Sequence, residues 1–179
     1  MRAALLSAGP SLQHSFDPAA LYDLRIGVNT AVQFHKCDWW VCADSHRWID
    51  IEAAGVKGKP KVFAIDTQRD RTICFAPDKA KKFKFVGWDE VFEATGASTS
   101  WMSNSAPAAL ILAHWLGAKE IDCYGVDMAG HLDATGIVDD STRHRNETRW
   151  SLERGIWTLM VDWLAQRGTK VTRINGVLS

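Results

Sequence analysis

Short β-rich runs of three to five residues recur along the chain, separated by longer stretches with helical patterning or polar character. The runs are Ala3-Ser7, Arg25-Val28, Trp39-Ala43, Lys61-Ile65, Lys84-Val86, Ile121-Gly125 and Lys170-Ile174. Several are apolar throughout, as a strand covered on both faces must be. Two helices stand out. Ser105 to Leu116 opens on a serine, carries Pro107 in a first turn where a missing N–H costs nothing, and stops at Gly117. Asn146 to Arg167 places Trp150, Ile156, Trp157, Met160, Val161 and Leu164 near helical spacing and stops at Gly168. Strands alternating with helices predict an α/β fold: a single Rossmann-like domain over residues 1–179, with a mostly parallel sheet and helices on both faces. The span from Arg47 to Glu93 is more charged and less regular. The segment from Met128 to Arg145, "MAGHLDATGIVDDSTRHR", has little apolar periodicity and reads as a loop long enough to be functional.

Composition narrows the function classes. A chain of 179 residues with 46% hydrophobic content can bury one sizeable core. Lys+Arg and Asp+Glu both number 21, so no net field draws DNA, RNA or an anionic membrane, and a charged ligand must be held by local groups. Cys37, Cys42, Cys74 and Cys123 form no CxxC pair, and no signal peptide precedes the first strand; a reduced, cytoplasmic protein is expected. The longest apolar run, Ala106 to Leu116, contains His114 and is too short to span a bilayer. His35, Cys37, Cys42 and His46 offer metal-binding atoms, but their spacing fits no common zinc pattern, and no metal site is expected.

The candidate chemistry gathers where strands end. After the first strand, Gly9-Pro10-Ser11 could turn backbone N–H groups and a hydroxyl towards an anion, although it is neither GxGxxG nor a P-loop; an ordinary strand-to-helix turn explains it equally well. Asn29 follows the second strand, where its amide suits a sugar hydroxyl, a base edge or a phosphate; the competing reading is a helix N-cap made by Asn29 or Thr30. Asp44 follows the third strand as a base, metal ligand, ribose binder or helix cap. Ser103-Asn104-Ser105 meets the start of an apolar helix, where N–H groups and the helix dipole favour an anion. Gly125-Val126-Asp127 ends a further strand. Arg145 and Arg149 are four apart and, at a helix start, would share a face able to grip a diphosphate; pairing with Glu147, Glu153, Asp139 or Asp140 is the alternative.

The order Gly9-Pro10-Ser11-Leu12, Val28-Asn29, a strand ending near Asp44, Ser105 opening a helix of small residues, Leu116-Gly117-Ala118-Lys119-Glu120-Ile121 and Gly125-Val126-Asp127 resembles the bacterial CMP-sialic-acid-dependent sialyltransferases. The related flagellin-glycosylation proteins and archaeal 6-hydroxymethylpterin pyrophosphokinases share it. The resemblance covers roughly residues 1 to 45 and 98 to 179. It implies a Rossmann-like fold in which Gly9, Pro10, Ser11, Asn29, Asn104 and Ser105 touch a nucleotide and Asp127 lies at the crevice. It also implies a histidine as general base on the acceptor hydroxyl: His144, or His131 in second place. Ala106 stands where the sialyltransferases have Gly, and Asp44-Ser45 replaces their Asn-Pro-type sequence, which looks more like the pterin and flagellin-modifying branch.

The expected function is metal-independent, inverting transfer from a nucleotide-sugar to the hydroxyl of a sugar or other small acceptor. His144 and Asp127 are then catalytic, and Gly9, Pro10, Ser11, Asn29, Asp44, Asn104, Ser105, Arg145 and Arg149 bind the nucleotide. No cofactor beyond the nucleotide donor and no nucleic-acid partner is expected, and the chain is expected to form a homo-oligomer. One alternative is pyrophosphoryl transfer from ATP, with Asp44 and Asp127 holding Mg2+. Another is a nucleotide-binding accessory protein without turnover, of phage or bacterial origin.

Overall fold

The computed structural model describes residues 1–42, 50–51, 53–64, 85–98, 105–138 and 145–174. Its strands are β1 (Arg2–Leu6), β2 (Leu24–Val28), β3 (Trp39–Val41), β4 (Lys61–Ala64), β5 (Phe85–Gly87), β6 (Glu120–Tyr124) and β7 (Lys170–Ile174). They form one sheet in the order β5-β4-β3-β2-β1-β6-β7, with every neighbouring pair parallel. The seven expected strands are thus present, their ends shifted by at most two residues. The helices are α1 (Leu12–Ser15), α2 (Ala31–Phe34), α3 (Trp88–Thr95), α4 (Ser105–Trp115) and α5 (Glu147–Ala165).

The apolar strands are apolar because both faces are covered. Successive side chains point to opposite sides of a strand, so Leu5 and Trp39 join the layer that holds α4, while Leu6 and Trp40 join the layer on the other face. Helix α4 is buried along nearly its whole length and packs against β1, β2 and β3 as well as α3 and α5, which is why it is apolar all round. Helix α5 is the opposite: Trp157, Met160 and Leu164 are buried at helical spacing, and the other positions are half-buried or exposed, Leu152 and Leu159 among the exposed ones. Its first turn is capped by the Asn146 side chain, which accepts from the Arg149 N–H at 3.0 Å. Among the described residues, no helix is long and apolar enough to cross a membrane.

The topology positions the site. The chain lays β2 to β5 outward from β1, then returns past β1 to lay β6 and β7 on the other side. Loops leaving β1 and β6 therefore diverge, and a crevice opens at their carboxyl ends.

Two half-buried histidines make stability depend on pH. His114 donates from Nδ1 to Thr169 Oγ1 at 2.8 Å, since the Thr169 hydroxyl proton goes to the Ala118 carbonyl at 3.0 Å. Burial first, and then Lys119 and Arg167, lowers the pKa of His114; burial, Lys57 and Arg25 do the same for His35. Protonation is then easier in the unfolded chain. The stability these neutral rings contribute is complete above the ordinary imidazole value of about 6.5 and is lost as pH falls through it. Urea unfolding between about pH 7.5 and 5 should show stability falling on acidification, less steeply in His114→Gln; a rise on acidification would contradict this assignment.

Candidate active site

The crevice between the ends of β1 and β6 holds a cleft of about 480 Å3, a volume suited to a nucleotide-sized ligand. Its floor is Ser7 to Pro10 after β1, Asn29 after β2 and Gly125 to Ala129 after β6. The first turn of α4 faces it through Ser105 and Ala106, and α5 walls it with Arg149, Trp150 and Trp157. Strand ends and helix starts that lie far apart in sequence thus meet at one place.

The Gly9-Pro10-Ser11 turn does not work as expected. The Gly9 N–H donates to the Gly125 carbonyl at 2.8 Å, Pro10 has no N–H, and the Ser11 N–H donates to Asp127 Oδ2 at 2.9 Å. The Ser11 hydroxyl donates to Asp127 Oδ1. The donors that could have cradled a phosphate are therefore engaged by the protein, and the Asp127 carboxylate occupies the anion's place. Ser11 is buried, and Asp127 is a strut between β1 and β6 with both oxygens accepting, rather than an unengaged base or magnesium ligand. Glycine is required here by close approach: a Cβ on Gly9 would lie 2.5 Å from an Asp127 oxygen and closer still to the Gly125 carbonyl.

Asn29 caps nothing. Its backbone is left-handed, at a φ of 49°, and its N–H donates to the Val41 carbonyl at 2.9 Å. Thr30 precedes α2 without a side-chain cap bond and donates from Oγ1 to Asp133 Oδ2 at 3.4 Å instead. Asn29 Oδ1 is buried and accepts no hydrogen bond among the described residues. Such an orphaned acceptor costs about 1 to 3 kcal/mol unless a ligand donor meets it.

The arginines are also reassigned. Arg145 lies before the Asn146 cap, outside α5, so it shares no helix face with Arg149. Its guanidinium pairs with Asp133 at 3.5 Å and donates to the His131 carbonyl at 3.2 Å. Arg149 pairs with Glu153 at 2.7 Å, one of the alternatives weighed from the sequence. The two guanidinium groups line the cleft together, with Asp127, Asp133 and Glu153 beside them. The first turn of α4 also lines the cleft, through Ser105, Ala106 and Pro107, and a helix N-terminus favours an anion. Asp44, Asn104, His46 and His144 lie outside the described residues. Cys37 is buried in the core, and that burial pushes its thiol up to about 12. Asp133 was missed. Its local signal was legible, an Asp two residues before a threonine whose N–H it accepts at 2.9 Å, but its distant partners were not.

Solved structures with a similar fold include sialyltransferases. The sialyltransferase CstII from Campylobacter jejuni in complex with the substrate analogue CMP-3FNeuAc matches over 97% of this chain and 80% of its own, at 12% identity and a TM-score of 0.61. CST-II in complex with trisaccharide acceptor and CMP matches over 98% of this chain and 81% of its own, at 12% identity and a TM-score of 0.67. The likeness is one of fold. No protein-family model and no curated protein matches the sequence.

Proposed function

We propose that this chain is a nucleotide-sugar-dependent glycosyltransferase of the sialyltransferase-like kind, built as a single Rossmann-like domain. The observation that carries the reading is a cleft that brings together Asn29, whose buried Oδ1 accepts no hydrogen bond among the described residues, and the first turn of α4. A nucleotide supplies both, a hydroxyl or amino hydrogen for Asn29 and a phosphate for α4. The fold neighbours support it, since their solved complexes contain CMP, a CMP-sugar analogue and an acceptor trisaccharide.

The reaction on this reading is a direct displacement at the sugar's anomeric carbon. The α4 N-terminus stabilises the charge that grows on the leaving phosphate. A histidine of the Met128 to Arg145 segment, His144 or His131, takes the proton of the acceptor hydroxyl. Gly9 and Pro10 shape the floor, and Ser11 with Asp127 fixes the spacing of β1 and β6 beneath it. No cofactor beyond the nucleotide donor takes part, and the acceptor is a sugar or another small hydroxyl compound.

A thermal-shift series with CMP, CDP, UDP, GDP, ADP and ATP, each with and without Mg2+, tests this. A ligand bound only by the folded state raises the midpoint by mass action. CMP is expected to raise it without metal, by about 3 kcal/mol of apparent stability at a hundredfold excess over its dissociation constant. A shift confined to ATP with Mg2+ would contradict the reading and favour pyrophosphoryl transfer.

A further inference from the structure

We infer that Arg149, Trp150 and Glu153 form the acceptor subsite of this cleft and that they select an uncharged sugar ring over an anionic one; the acceptor role rests on the glycosyl-transfer reading. The three residues continue the stripe of Trp157, Met160 and Leu164 towards the start of α5, at spacings of three and four. The second half of that stripe is buried in the core. Where α5 leaves the core to wall the cleft, the stripe changes from apolar to charged and aromatic. A cation in the first turn of a helix opposes the dipole, and Glu153 keeps only 17% of its side chain exposed, so this is not an ordinary surface pair.

The geometry of the wall is fixed by its own bonds. Trp150 Nε1 donates to the Gly130 carbonyl at 2.9 Å, which ties the indole to the segment after β6. The indole packs in part on the core and lines the cleft. Arg149 Nε donates to Glu153 Oε1 at 2.7 Å, and the guanidinium carbon lies 5.6 Å from the centre of the Trp150 ring. Among the described residues, that ion pair uses one nitrogen of the fork and one carboxylate oxygen, and leaves Nη1, Nη2 and Oε2 for a ligand.

A sugar ring matches each part. The C–H hydrogens of its flat face carry slight positive charge and suit the face of an indole. Neighbouring hydroxyls both donate and accept, so one can meet the guanidinium and the next the carboxylate. The Arg149 and Glu153 charges cancel, so the wall offers no net attraction to an anion, and a carboxylate on the sugar would face Glu153. The wall also lies apart from the nucleotide's place: Asn29 and the start of α4 lie towards β2, whereas α5 packs against β7 and α4, beyond β6.

The test is titration of the full chain with methyl glucoside and methyl galactoside, and with the corresponding methyl uronides, followed by the Trp150 indole proton–nitrogen signal with and without saturating CMP. Millimolar binding of at least one neutral glycoside is expected, about tenfold tighter than that of its uronide, and retained when CMP is present. Trp150→Ala should weaken it about tenfold, whereas Trp150→Phe, which keeps an aromatic ring and loses the N–H that bonds Gly130, should keep most of it. Glu153→Gln leaves Arg149 without its counter-charge and should bring the uronide to at least equal affinity. Binding of neither neutral glycoside overturns the inference, as do uronides that bind the unsubstituted protein equally well or full affinity in Trp150→Ala. An unchanged preference in Glu153→Gln, or displacement of the glycoside by CMP, overturns it too. A glycoside that binds at Trp150 in a protein that does not bind CMP overturns the glycosyl-transfer reading alone and leaves the sugar subsite standing.

Discussion

Gly125→Ala is expected to lower the stability of the fold by about 2 to 5 kcal/mol, the sum of a strained backbone and a clash. Gly125 follows β6 at a φ of 66°, where an L side chain is disfavoured, and a Cβ there would lie 2.5 Å from the Ser7 carbonyl oxygen and 2.9 Å from the Leu12 Cβ. None of these can yield cheaply, because Leu12 is fully buried and Ser7 continues from β1, whose N–H to the Tyr124 carbonyl bond measures 2.8 Å. A shift of the Gly125 carbonyl would also strip the Gly9 N–H of its partner. Urea unfolding followed by far-UV circular dichroism reads the loss. A midpoint within about 0.5 kcal/mol of the unsubstituted protein, the range of ordinary surface changes, would show that the β1 and β6 ends are not packed this closely.

Asp127→Ala should cost a comparable amount, about 2 to 4 kcal/mol, by a different route. The substitution removes the acceptor for the Ser11 N–H and for the Ser11 hydroxyl, and Ser11 is 2% exposed, so water does not readily replace the carboxylate. Bonds to a charged acceptor are worth more than neutral ones, and the orphaned N–H adds its own desolvation cost. Asp127→Asn keeps one oxygen and should recover part of the loss. The same unfolding measurement applies, and an Asp127→Ala midpoint equal to that of the unsubstituted protein would return Asp127 to the role of an unengaged group in the cleft. The Gly125 and Asp127 effects should not add, because both loosen the same junction.

Strand and helix positions were legible because each depends on its own neighbourhood. A parallel sheet clad on both faces favours apolar runs, which Ala3 to Leu6 of β1 and the whole of β3 supply, and Ser105, Pro107 and Gly117 punctuate α4 by local backbone chemistry. The site was less legible, since partners decide what a polar group does and those partners are distant. Gly9-Pro10-Ser11 has the composition of an anion-binding turn, yet its anion is Asp127, 116 residues further on. Arg145 and Arg149 have helical spacing in the sequence, yet Asn146 caps α5 between them and sends one to Asp133 and the other to Glu153. Asn29 was singled out by its place after a strand; that its Oδ1 stays unmet depends on the left-handed turn and on Thr30 bonding elsewhere.

The central claim is that a nucleotide lies between Asn29 and the start of α4, and a crystal structure of the complex with CMP tests it most directly. The account predicts the phosphate at the first turn of α4 and a nucleotide donor on the Asn29 amide, with the bonds from Ser11 to Asp127 intact. A phosphate seated on the Gly9-Pro10-Ser11 turn with Asp127 displaced, or CMP bound away from the cleft, would contradict it.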